Sequence, residues 1–187
     1  MSRAFLFLLF LVVSFNACSV VNFARYYAAA DTTAGKLNGR IYETKDTSYQ
    51  IGELSSDWKR IDIKGGDLAY WNESIKTTIT VNSTCTKNNE KAKYSLRALS
   101  EQLLVGIADK ELVSGKEIDL NGEKALVSVY SGKLQGVPVK LGMVVIKNGQ
   151  CIYDFTSASS PQNFDAGFRD LDSFISDFKI IEMKKKK

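Results

Sequence analysis

The sequence predicts an α+β domain: an antiparallel, meander-rich sheet of about six to seven strands with two helices packed against it. Three observations predict it. Alternation of period two recurs in short segments from Trp58 onward, two Asn-Gly pairs separate alternating runs as hairpin turns do, and two stretches switch to helical spacing.

The domain opens at Tyr49 and runs to residue 183. Residues 58–63 read as a strand, with Trp58, Arg60 and Asp62 opposite Lys59, Ile61 and Ile63; Gly65-Gly66 is a turn, and 67–71 pairs back. Residues 76–84 give the clearest strand. Ile79, Val81, Ser83 and Cys85 share one face, and Thr78, Thr80, Asn82 and Thr84 the other, as suits a pleated surface. Leu96, Leu99, Leu103 and Ile107 then recur at helical intervals, predicting an amphipathic helix over about 92–108.

Asn121-Gly122 separates 116–120 from 123–130, and a two-residue type I′ turn there opposes Asp119 to Lys124. Lys133 to Gly136 links this hairpin to a second, in which Asn148-Gly149 separates 137–147 from 150–157. Met143 to Ile146 is apolar on both faces and requires cover on both sides. Ser160 as N-cap and Pro161 in the first turn start a closing helix over about 161–178. Its stripe of Phe164, Phe168, Leu171, Phe174, Ile175 and Phe178 is core packing.

With Trp58 at its start, a helix before a meander and a Phe-rich closing helix, this arrangement resembles the PsbP-like fold. That fold is known from an extrinsic photosystem II subunit and from small bacterial lipoproteins. The resemblance covers roughly residues 49–180 and implies architecture and an accessory role; it carries no functional residues across.

The N-terminus reads as an export signal. Arg3 precedes the apolar run Ala4 to Val13, too short to span a bilayer, and Ala17 stands directly before Cys18. This resembles a bacterial lipoprotein signal, with Phe15 and Asn16 standing where that family has a large aliphatic and a small residue. The resemblance implies cleavage after residue 17 and acyl chains on Cys18, hence a lipid bilayer as a partner. Ser19 after the cysteine implies, by the family's sorting rule, the outer membrane facing the periplasm. The other readings of the segment are an uncleaved anchor extended through Val20-Val21 and simple secretion. Residues 18–48 are expected to be a tether, and 184–187 a basic tail.

Composition excludes several chemistries. Without histidine there is no Ser-His or Cys-His nucleophile and no His-containing metal site. The net charge of +4 comes from the ends: without Arg3 and Lys184 to Lys187, 20 basic residues face 21 acidic ones, so no basic face for nucleic acid is expected. No cofactor motif and no metal-ligand cluster occurs. Ser56 and Lys59 have Ser-x-x-Lys spacing but lack its companion motifs, and no catalytic residues are assigned. Asp154 reads as a solvated or capping acid, and Asp165, Asp170 and Asp172 as a solvated helix face. Cys85 and Cys151 fall on apolar strand faces; in an exported chain they form an even pair suited to a disulfide, with buried free thiols the other reading.

An anchored domain without a catalytic set points to a non-enzymatic binding or accessory module for an envelope protein. The alternative is a small-molecule or lipid carrier with a pocket between the closing helix and the sheet, lined by Phe164, Phe168 and Tyr153.

Overall fold

A computed structural model describes residues 35–63, 66–86 and 93–181. The signal segment, Cys18 and the basic tail lie outside these residues, as do parts of the Gly65-Gly66 turn and of the expected first helix.

Eleven strands and two helices are described: β1 (Lys36–Asn38), β2 (Ile41–Glu43), β3 (Ser48–Gln50), β4 (Trp58–Arg60), β5 (Leu68–Asn72), β6 (Thr77–Cys85), α1 (Leu96–Gln102), β7 (Ile107–Leu120), β8 (Glu123–Leu134), β9 (Val137–Asn148), β10 (Cys151–Ser159), α2 (Phe164–Ser176) and β11 (Lys179–Ile181). A seven-stranded sheet runs β4-β5-β6-β10-β9-β8-β7, and a four-stranded sheet runs β1-β2-β3-β11. Every pairing is antiparallel. The α+β architecture is as the sequence predicts.

The centre of the large sheet is covered on both faces, as Met143 to Ile146 require. On one face, Leu171, Phe174 and Ile175 of α2, with Phe178 beyond it, pack on Ile79, Val81, Val144, Ile146, Tyr153 and Phe155. Tyr42 and Tyr49 of the small sheet join the same core. On the other face, Leu99 of α1 meets Val145 and Ile152, and Leu104 with Ile107 packs on Tyr130, Leu134, Leu141 and Met143.

The hairpins follow their turn chemistry. Asn121 and Gly122 both take positive φ, 54° and 89°, which a type I′ turn demands and which these two residues tolerate; Asp119 is then registered with Lys124. Asn121 also donates through its side-chain amide to the carbonyls of Ser176 (3.0 Å) and Phe178 (2.8 Å), so the hairpin tip caps the end of α2.

Four expectations need correction. The expected tether gives way to folded chain at Lys36, because β1–β3 complete the small sheet and bury Tyr42 and Tyr49. The helix expected over 92–108 is shorter, capped by the Ser95 hydroxyl on the Ala98 N–H (3.1 Å) and ended before Gly106, whose φ of 85° a helix cannot continue. Ser160 and Pro161 form a β-turn, closed by the Asn163 N–H on the Ser160 carbonyl (3.1 Å), and α2 begins only at Phe164. In the second hairpin Asn148 pairs with Cys151, so the turn is Gly149-Gln150, with Gly149 at φ 54°.

Candidate functional site

Chain-distant elements meet around a cleft of about 310 Å³, within the range of sites that hold a small molecule or an anchoring side chain. Its walls are Leu37 of β1, Ile51, Leu54, Trp58 of β4, Tyr70 of β5 and Phe174 of α2; Arg40 and Glu53 stand at the rim. The segment after β3 is held against α2 at Gly52, whose N–H donates to the Phe174 carbonyl (2.8 Å). A Cβ on Gly52 would stand 2.6 Å from that oxygen, so only glycine allows this approach.

Three polar contacts fix the walls. The Trp58 indole N–H donates to Asp170 Oδ2 (2.9 Å), fastening β4 to α2. Arg40 donates from Nε to the Ile51 carbonyl (3.0 Å) and forms an ion pair with Asp177. Asp170, expected on a solvated helix face, is thus a wall support, whereas Asp165 and Asp172 are exposed.

A polar cluster lies in the core. Asp67, only 5% exposed, accepts through Oδ2 from the Tyr49 hydroxyl (2.8 Å) and from the Ser83 hydroxyl. Burial raises its pKa, opposed by those two hydrogen bonds. Burial, with the Asp67 charge beside it, holds the Tyr49 phenol well above its ordinary value. Tyr153, also raised by burial, shares a 2.6 Å hydrogen bond with the Thr47 hydroxyl. The cluster joins the two sheets: Tyr49 and Thr47 come from the small sheet side, Ser83 and Tyr153 from the large one. It is sealed from solvent.

Cys85 and Cys151 are directly paired residues of β6 and β10, and their sulfurs are bonded. Asp154 is not a solvated acid; it is buried in the middle of β10 and accepts from the Asn82 amide (2.8 Å). Ser56 lies in an exposed turn and Lys59 on β4, not on the helix that Ser-x-x-Lys chemistry uses. The space expected to hold a carrier pocket is filled: Phe164 and Tyr153 are buried, and Phe168 presses on Gly142, where a Cβ would stand 2.2 Å from its ring. No group of three or more potential metal ligands occurs among the described residues, and no described helix is long and apolar enough to cross a membrane.

The two-sheet, two-helix arrangement is an α+β domain that shares its fold with PsbP-like structures. In solved structures it is similar to cyanobacterial PsbP (CyanoP) from Synechocystis, at 14% identity and a TM-score of 0.58, covering 79% of this chain and 98% of that one. It is also similar to LpqN, involved in cell envelope biogenesis of Mycobacterium tuberculosis (11%, TM-score 0.59, covering 75% and 88%). A third similar structure is the Ran-binding protein Mog1p of Saccharomyces cerevisiae (12%, TM-score 0.50, covering 79% and 96%). No protein-family model matches the chain, and no curated protein matches it in sequence.

The cleft has no local signature, because its walls come from five separated stretches. The usable signals were Gly52 between Ile51 and Leu54, and a tryptophan at the start of a short strand. Asp67 reads as the first residue of the strand that pairs back after Gly65-Gly66, and nothing nearby announces its burial.

Proposed function

We propose that this chain is an envelope lipoprotein, anchored through an acylated Cys18, whose folded domain is a non-enzymatic binding or accessory module for another envelope protein. The observation that carries the binding half is the cleft. Its walls carry aliphatic and aromatic side chains interleaved with polar surface, its Arg40 is already engaged with Asp177, and the acid Asp67 with the phenol of Tyr49 is buried in the core. Such a surface suits the capture of an apolar side chain from a partner. The similar structures lend support: one is involved in cell envelope biogenesis and another is a Ran-binding protein. Ser19 favours the outer membrane, with the domain in the periplasm.

Anchoring is tested with radiolabelled palmitate in cells carrying the full chain or its Cys18→Ser variant. The label is expected to follow the wild-type protein into the membrane fraction and to fall to background in the variant. Cys85 and Cys151 are engaged with each other and offer no second acceptor. Label absent from the wild type, or retained by Cys18→Ser, contradicts the anchor.

A further inference from the structure

β7 is the outermost strand of the seven-stranded sheet, and from Ala108 to Glu117 it is exposed on both faces. Leu112 is 37% and Val113 52% exposed at the middle of this stretch. Among the described residues no strand pairs with its outer edge. An open edge of this length is a template for another strand. We propose that β7 pairs antiparallel with β7 of a second copy of this chain, about a two-fold axis between Val113 and Ser114, so that two seven-stranded sheets join edge to edge.

Charge selects this register. The axis sets Lys110 opposite Glu117 of the second copy and Glu111 opposite its Lys116, and the two-fold repeats both pairs. Opposite charges directly across antiparallel strands stabilise the pairing, and like charges oppose it. Moving the axis onto Ser114 sets Glu111 against Glu117; moving it onto Val113 sets Lys110 against Lys116. Of these three axes, only the one between the two residues avoids a like-charge pair among these four.

The backbone meets the same requirement. An axis between residues mates positions of opposite parity, and in an uninterrupted strand such positions turn their N–H and C=O groups to opposite edges. β7 is interrupted at the axis, and a second time at its start between Ala108 and Glu111, so the register is read from Glu111 onward. Leu112 pairs with Tyr130 but Ser114 pairs with Val129, so Val113 is an extra residue and the alternation resets there. Leu112 and Gly115, opposite Tyr130 and Ser128, then share one orientation; Glu111 and Lys116, opposite Ser131 and Val127, share the other. These are the residues the axis mates. Leu112 meets a glycine across the seam: the space over Gly115 is bordered by Arg97 Nη2 and Leu112 Cδ1 of its own chain, 3.6 and 3.8 Å from a built Cβ, and residue 115 itself puts no side chain in the way of the second leucine.

One strand pair buries less than a standard interface, so the dimer is expected in the micromolar range. The inference does not depend on the lipid anchor, which would only raise the local concentration. It is tested by sedimentation velocity of the purified full chain in mild detergent, over a concentration series. The wild type is expected to show a reversible monomer–dimer equilibrium. Lys116→Glu, which places like charges at two mated positions, is expected to raise the dissociation constant roughly ten- to thirtyfold. Combining it with Glu111→Lys restores opposite charges and should bring the constant back to within about threefold of wild type. In a second readout, Val113→Cys should give a disulfide-linked dimer on a non-reducing gel, lost on adding Lys116→Glu. A wild type that stays monomeric up to about 100 µM, a dimer indifferent to Lys116→Glu, or a double variant that fails to recover overturns the proposal.

Discussion

Phe178→Ala is expected to remove about 3–5 kcal/mol of stability, the range for deleting a fully buried aromatic ring. The residue lies between α2 and β11 with no exposed surface. Its ring meets Tyr153 and Phe155 of the large sheet at centroid distances of 5.3 Å each, and Tyr49 of the small sheet at 6.0 Å. The first two contacts are edge-to-face, the geometry in which aromatic pairs add to simple burial. Truncation leaves a void that three rings on two sheets cannot jointly close. A single domain has about 5–15 kcal/mol in all, so the variant should be substantially destabilised. Urea denaturation measures it. A loss below about 1 kcal/mol is incompatible with the packing described.

Loss of the Cys85–Cys151 disulfide is expected to cost about 4 kcal/mol, from the chain entropy of a loop closed across 66 residues. That loop contains α1, β7, β8 and β9, the whole excursion between the adjacent central strands β6 and β10. Unfolded and reduced, the chain must bring β6 and β10 together across that entire span. Both cysteines are only partly buried, so a reductant can reach them. The denaturation midpoint should fall in reducing buffer, and Cys85→Ala/Cys151→Ala should reproduce the fall and abolish the effect of reductant. A midpoint indifferent to reductant in the wild type contradicts this.

What the sequence made legible is what depends on neighbours along the chain. Ile79, Val81 and Ser83 alternate because β6 is long enough to repeat, Asn121-Gly122 announces a turn because two consecutive positive φ angles admit few residues, and the Phe stripe of α2 survives any shift of the helix start. The small sheet was not legible. Its strands are three residues long, too short for a period, and β3 pairs with β11 from the far end of the domain.

The overlong first helix fails for a different reason. Leu104 and Ile107 do lie on one cluster with Leu134 and Met143, as their spacing implies, but they reach it from a turn and a strand. Helical spacing records only that residues face one core, and a turn after Gln102 satisfies it equally. The cleft shares the small sheet's difficulty, since Leu37, Leu54, Trp58, Tyr70 and Phe174 meet only once both sheets and α2 have docked.

Photocrosslinking from the cleft in intact envelopes tests most directly the proposal that this surface holds a partner. A photoreactive amino acid is placed at Leu37, Glu53 or Leu54 of the full chain, with exposed Lys124 on β8 as the control position. The cleft positions are expected to give one common protein adduct, of the same mass from each, that the control does not give. Irradiation that yields no adduct at all three positions, or yields the same adducts from Lys124, would contradict the binding role assigned to this domain.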